Sequence, residues 1–169
     1  MVVSVELFNR GTKSAARARY GVRMPAPGNR IAISDLLLYA PRDSTHGRLA
    51  DVIPLALSTN RVQAREPLGL FWETYGLRPE GEVLAVSITI ERVGDRWFRK
   101  AAEGLHLASR TYPLRVQWQE VPDRAEGAAS RAVSLDLSRL ASGRYRIRLS
   151  VTPRGEVPVL ATREVVVDR

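Results

Sequence analysis

Two alternating segments on either side of a short crossing constrain this chain more than anything else in it. Val133, Leu135 and Leu137 alternate with Ser134 and Asp136, while Tyr145, Ile147, Leu149 and Val151 alternate with Arg144, Arg146, Arg148 and Ser150. Successive side chains of a strand point to opposite faces, so each segment is a half-buried strand with one apolar and one polar face. Leu140, Ala141, Ser142 and Gly143 make the crossing between them. Two such strands need an opposing apolar layer, which a second packed sheet supplies.

The same period recurs along the chain. Val3, Val5 and Leu7 alternate with polar residues, residues 9–14 form a turn cluster, and Ala16, Ala18, Tyr20, Val22 and Met24 alternate with Arg17, Arg19 and Arg23, which predicts a hairpin. Residues 25–29, with two prolines and a glycine, break it. Ile31 and Ile33 open a short strand running into Leu36, Leu37 and Leu38. That run is apolar on both phases and reads as a buried strand or as a helical turn capped by Ser34 or Asp35. Residues 41–49 read as a polar loop, and residues 51–57 as an apolar run that Pro54 limits to an edge or irregular strand.

Further on, Leu70 and Trp72 share one face and Phe71 and Tyr75 the other, as in a strand that is central or covered. Leu84, Val86, Ile88 and Ile90 alternate most cleanly of all. Gly94-Asp95 reads as a two-residue turn into Trp97 and Phe98. Gly104 leaves residues 99–108 a loop or a single turn. Leu114, Val116 and Trp118 then alternate with Arg115, Gln117 and Gln119, and residues 157–167 close the chain as a strand.

About ten strand candidates and no amphipathic helix predict an all-β sandwich. The expected organisation is one unit, 1–169, in which a β extension of residues 1–62 packs on a core of residues 63–169. The extension is too small to bury much by itself. A Tyr just after a Leu-x-x-Gly crossing, opening an alternating strand, resembles the tyrosine corner of immunoglobulin-like and fibronectin-type sandwiches; here it comprises Leu140, Gly143 and Tyr145.

Residues 16–22, 33–38 and 70–77, followed by the Leu-x-x-Gly-x-Tyr corner, are similar to the C-terminal β-rich region of bacterial GWxTD-domain proteins. The Gly-Trp-x-Thr-Asp motif itself does not occur. The resemblance implies an uncharacterised bacterial β-sandwich module, cut from or paired with a larger envelope-associated or periplasmic architecture, and it carries over no catalytic residue.

Composition bounds the chemistry. The 169 residues are 44% hydrophobic and 26% charged, the balance of a soluble globular domain. No apolar run approaches the ~18 residues that span a bilayer. The N-terminal residues lack a basic region followed by an apolar one, which leaves a cytoplasmic protein or a mature region or fragment. There is no cysteine, so disulfides, thiolate chemistry and Fe–S clusters are excluded, and two histidines, His46 and His106, are poor material for a metal site. Neither a Gly-x-x-x-x-Gly-Lys loop nor a Gly-x-Gly-x-x-Gly turn occurs, so no cofactor is expected. The net charge of +8 invites a nucleic-acid reading, yet only Lys13 and Lys100 of the 26 basic residues are lysines, a bias that a high-GC coding sequence produces unaided.

Four constellations are weighed against plainer readings. Asp43, Ser44, Thr45 and His46, with Asp51, hold the residue types of a hydrolase triad, but they crowd one polar loop without a nucleophile elbow and read as solvated. Glu73 and Glu91, if facing, would be a carboxylate pair of the kind used on glycosides; otherwise they keep a sheet face soluble. The arginine strips at 17, 19 and 23 and at 144, 146 and 148 read as solvated faces paired with neighbouring glutamates. Trp72 and Trp118 read as core. Phe71, Glu73, Tyr75 and Trp97 remain as a candidate ligand or partner patch.

The expectation is therefore a non-enzymatic protein-interaction or structural module, with another protein or domain as partner. A carbohydrate-binding module using sheet-face aromatics is the alternative, and a basic nucleic-acid-associated protein the second.

Overall fold

A computed structural model describes residues 2–21, 31–42, 47–78, 81–94, 114–122 and 128–169. The chain divides into two compact units, Met1–Arg30 and Ile31–Arg169.

The first unit is a hairpin. β1 (Val2–Asn9) and β2 (Ser14–Gly21) pair antiparallel, with Glu6 opposite Arg17 and Asn9 opposite Ser14. Asn9 closes the turn, its Oδ1 accepting the N–H groups of Gly11 at 2.9 Å and Thr12 at 3.2 Å. Glu6 and Arg17 form an ion pair across the strands.

The second unit is an immunoglobulin-like sandwich. Its elements in order are β3 (Ala32–Ile33), β4 (Leu37–Tyr39), α1 (Leu49–Val52), a 3-10 turn (Ile53–Leu55), β5 (Arg61–Gln63), β6 (Leu68–Tyr75), β7 (Leu84–Arg92), β8 (Leu114–Glu120), β9 (Ala128–Leu135), β10 (Gly143–Pro153) and β11 (Val159–Asp168). One sheet has five strands in the order β5-β11-β10-β7-β8. All its neighbours are antiparallel except β5, which runs parallel to β11. In the other sheet β6 is central, with β9 on one edge and β3 and β4 on the other.

β3 and β4 act as one edge strand interrupted by a bulge. Ile33 stands opposite Thr74 and Leu37 opposite Phe71, so three residues on the edge face two on β6. Ser34 repairs the ladder there. Its backbone N–H donates to the Glu73 carbonyl at 2.9 Å. Its hydroxyl accepts the Glu73 N–H at 3.0 Å, in place of a backbone carbonyl.

The alternation read from the sequence sets the layers. Leu84, Val86, Ile88 and Ile90 of β7 and Tyr145, Ile147, Leu149 and Val151 of β10 are buried, and they meet Leu68, Leu70 and Trp72 from the opposing sheet. Fully burying each such side chain contributes about 1.5–3 kcal/mol. Trp72 and Trp118 meet between the sheets with ring centroids 6.3 Å apart. Beside them Arg131 Nε donates to Glu120 at 2.8 Å, and the Trp118 indole N–H donates to the same carboxylate at 2.9 Å.

The crossing after β9 carries the chain from the four-stranded to the five-stranded sheet. Leu137 and Leu140 are buried beneath it, and the Tyr145 hydroxyl donates to the Ala141 carbonyl at 2.8 Å, which makes the tyrosine corner. At Gly143 a Cβ would lie 3.1 Å from Arg92 Nε.

Two expectations change. Residues 51–57 do not form a strand. Val52 closes α1, and Pro54 sits at the start of the 3-10 turn, where its missing N–H leaves no bond unmade. The boundary expected at residue 62 falls inside the sandwich. β3 and β4 precede it and β5 straddles it, and they pair with β6 and β11, so residues 31–62 contribute to both sheets.

A candidate binding trough on the five-stranded sheet

The patch predicted at Phe71, Glu73, Tyr75 and Trp97 is not assembled as one surface. All of Gly69, Phe71, Glu73 and Tyr75 lie on the outward phase of β6, but α1 and the 3-10 turn cover half of that face. Phe71 is 2% exposed and packs with Tyr39 and Val52, with Leu37, Leu55 and Ala132 around them. The segment is tied down by backbone bonds from Ala40 N–H to the Leu55 carbonyl and from Leu57 N–H to the Leu38 carbonyl. Phe71 is therefore core, a correction that follows from the cover. Trp97 lies outside the described residues, as do residues 43–46 of the loop and His106.

Glu73 and Tyr75 remain on the uncovered half. The Tyr75 hydroxyl donates to Glu73 Oε2, and Ser130 donates to Glu73 Oε1 at 3.4 Å. This hydrogen bond to a carboxylate, then burial, then the Glu73 charge push the Tyr75 phenol up to about 12. The carboxylate is thus committed to its own strand neighbours. Glu91 cannot join it. Glu73 points outward from one sheet and Glu91 outward from the other, with the core between them, so no glycosidase-like pair exists. Among the described residues no cluster of three or more His, Asp or Glu is placed to hold a metal ion.

The opposite face of the sandwich is different. On the outward phase of the five-stranded sheet the registers set side chains in rows across the strands. Glu91, Arg146 and Glu164 make one row, joined by Arg146 bonds of 2.7 Å to Glu164 and 3.9 Å to Glu91. The next row is Arg115, Thr89, Arg148 and Thr162; the next is Gln117, Ser87, Ser150 and Leu160; then come Gln119, Ala85 and Thr152. In the last two of these rows the middle strands carry short side chains and the outer strands longer ones. The result is a trough of about 970 Å³, floored by Ser87, Thr89, Ser150 and Thr152 and walled by Arg115, Gln117 and Gln119 on one side and Leu160 on the other. Gln117 reaches toward the Ser87 hydroxyl at 3.4 Å. Of the three β10 arginines, Arg146 and Arg148 make the expected pairs with glutamates, since Arg148 also donates to Glu91 at 3.4 Å.

The sequence alone marks only the arginines among these outward residues, and as a solvated face. The signal it had was the hydroxyl and amide phase of three strands. What it lacked was strand order, which places β7 between β8 and β10.

No family model matches the chain, and no curated protein matches it in sequence. Among solved structures, the chain is similar to the soluble domain of PmoD from Methylocystis sp. ATCC 49242 (Rockwell), at 12% identity and a TM-score of 0.39, over 80% of this chain and 90% of that one. It is also similar to part of a β-glucosidase from Listeria innocua solved with glucose, at 11% identity and a TM-score of 0.42. There the match spans 82% of this chain and 16% of the glucosidase. Likeness at this level carries no statement about function.

Proposed function

We propose that the chain is a non-enzymatic interaction module of a bacterial protein, and that its contact surface is the outer face of the five-stranded sheet. One observation carries the reading: three neighbouring strands present an open trough of hydroxyl and amide groups, while α1 seals half of the other sheet's outer face. Hydroxyls and side-chain amides both donate and accept, so such a floor can match an extended polar partner. Concave faces with convergent polar groups are where ligands bind. A role for sheet-face aromatics is not supported, because Phe71 is buried and the Tyr75 hydroxyl is bonded to Glu73. Kinship with the β-rich region of GWxTD-domain proteins belongs to the same proposal and rests on residues 16–22, 33–38 and 70–77 and the corner.

The test is site-specific photo-crosslinking in cells, with benzoylphenylalanine at Gln117 in the trough and, separately, at Arg139 in the crossing as a control. Adducts are expected from position 117 alone. They should vanish when Ser87→Trp and Ser150→Trp fill the trough without moving the melting temperature. Adducts from 117 that survive filling would overturn the assignment of this face.

A further inference from the structure

The trough is longer than its widest part. A second hollow of about 530 Å³ shares Ala85, Gln119 and Thr152 with it and runs on to the turn after β10, where Arg154 stands. From Thr89 to Val83 the floor follows β7 and the residue just before it, over six residue steps. At ~3.3 Å per residue that is about 20 Å. Arg115 and Arg148 flank one end and Arg154 the other, and no carboxylate lines either part among the described residues. Arg148 spends one nitrogen on Glu91, but a guanidinium carries five N–H donors, so its remaining donors can serve a ligand.

We infer that this trough binds an acidic polysaccharide of the polyuronate class, with sugar carboxylates held by the terminal arginines and ring hydroxyls held by the Ser, Thr and Gln groups between them. The inference rests on the interaction reading above. Three features favour this ligand over other extended anions. Single-stranded nucleic acid is held by bases stacked on exposed aromatics. Among the described residues Trp118 is the one aromatic that lines this trough, and its ring packs against Trp72 at 6.3 Å, with its indole N–H bonded to Glu120. An extended peptide is selected by pockets for alternate side chains. The floor here is level, with short residues in adjacent rows, and the exposed large apolar side chains along it are Leu160 and Val83. A polyuronate brings what the trough is built to meet, which is hydroxyls along its length and a carboxylate on each ring. Arginine pairs with carboxylates in bidentate geometry.

The probe is polygalacturonate in affinity gel electrophoresis and titration calorimetry on the full chain, beside fully methyl-esterified pectin, poly-glutamate and oligo(dT). Retardation by polygalacturonate is expected, weakening with salt, with at least tenfold weaker binding to the esterified polymer, to poly-glutamate and to oligo(dT). The double variant Arg115→Ala/Arg154→Ala should lose tenfold or more in affinity. Gln117→Ala should lose a fewfold, reporting hydroxyl recognition that net charge alone does not give. The charge-matched control Arg139→Ala/Arg144→Ala should bind within twofold of the parent. Equal binding of poly-glutamate or oligo(dT) would overturn the ligand class, as would equal losses in the control. No binding to polygalacturonate would overturn the inference. Trough-dependent crosslinks from Gln117 would then still uphold the interaction reading, so the two failures are distinguishable.

Discussion

The two outer faces of the sandwich are made by strands of the same fold and have opposite fates. On β6 the outward phase includes Phe71, and the chain returns over it with α1 to bury it. On β7 and β10 the outward phase is Ser, Thr, Ala, Glu and Arg, and nothing among the described residues covers it. The difference shows that a strand apolar on both phases is a demand for a third layer, whereas strict alternation leaves one face free. Close approach completes the cover. Gly69 lies opposite Tyr39, and a Cβ at Gly69 would fall 2.4 Å from the Tyr39 ring, so the ring lies where a side chain would otherwise stand.

The contrast can be broken most severely at Phe71. Phe71→Ala should cost about 3–5 kcal/mol of stability by chemical denaturation, as for any large buried aromatic. Ser150→Ala, at an outward position of the other sheet, should stay within about 0.5 kcal/mol. Similar costs at the two positions would mean that the faces do not differ as described. Gly69→Ala should follow at about 1–3 kcal/mol, because the Tyr39 ring has to move. In a chain that already carries Tyr39→Ala, adding Gly69→Ala should cost less than it does in the parent, because the ring it would strike is gone. Tyr145→Phe, which removes the bond to the Ala141 carbonyl, should cost about 1 kcal/mol, and an unchanged melting curve would sink the corner.

The smallest effect is a titration. The folded chain holds the Tyr75 proton more tightly than the unfolded chain, whose phenol titrates at 10.0. The stability this supplies is present in full below pH 10 and is lost as pH rises toward about 12. Phenolate absorbance should show Tyr75 ionising near pH 12, and Glu73→Gln should bring it back toward 10.

How much of this was legible follows from particular residues. The inward sets of β7 and β10, and the corner at Leu140, Gly143 and Tyr145, could be read because period-2 alternation is local information. Phe71 was legible as apolar but not as covered. The covering segment, residues 49–55, is too short for a helical period to stand out, and Pro54 reads as a strand breaker before it reads as a turn starter. Ser34 could be seen only as a possible cap, since its role depends on a register shift against β6. The trough was the least legible feature. It depends on four strands from residues 84–92, 114–120, 143–153 and 159–168 lying side by side, an order no single segment states.

The parallel pair at the sheet edge has a mechanical consequence. β5 and β11 meet over only three residue pairs, Val166 with Arg61, Val167 with Val62 and Asp168 with Gln63. They are reinforced by the Arg61–Asp168 ion pair at 2.9 Å and by backbone bonds from Ala64 N–H to Asp168 at 2.7 Å and from Val166 N–H to Asn60 at 2.8 Å. Because the strands run the same way, tension drawn between the start of β5 and the end of β11 slides one along the other. These bonds then bear load together instead of opening one by one, so the shortest strand pair of the large sheet becomes a clamp against stretching.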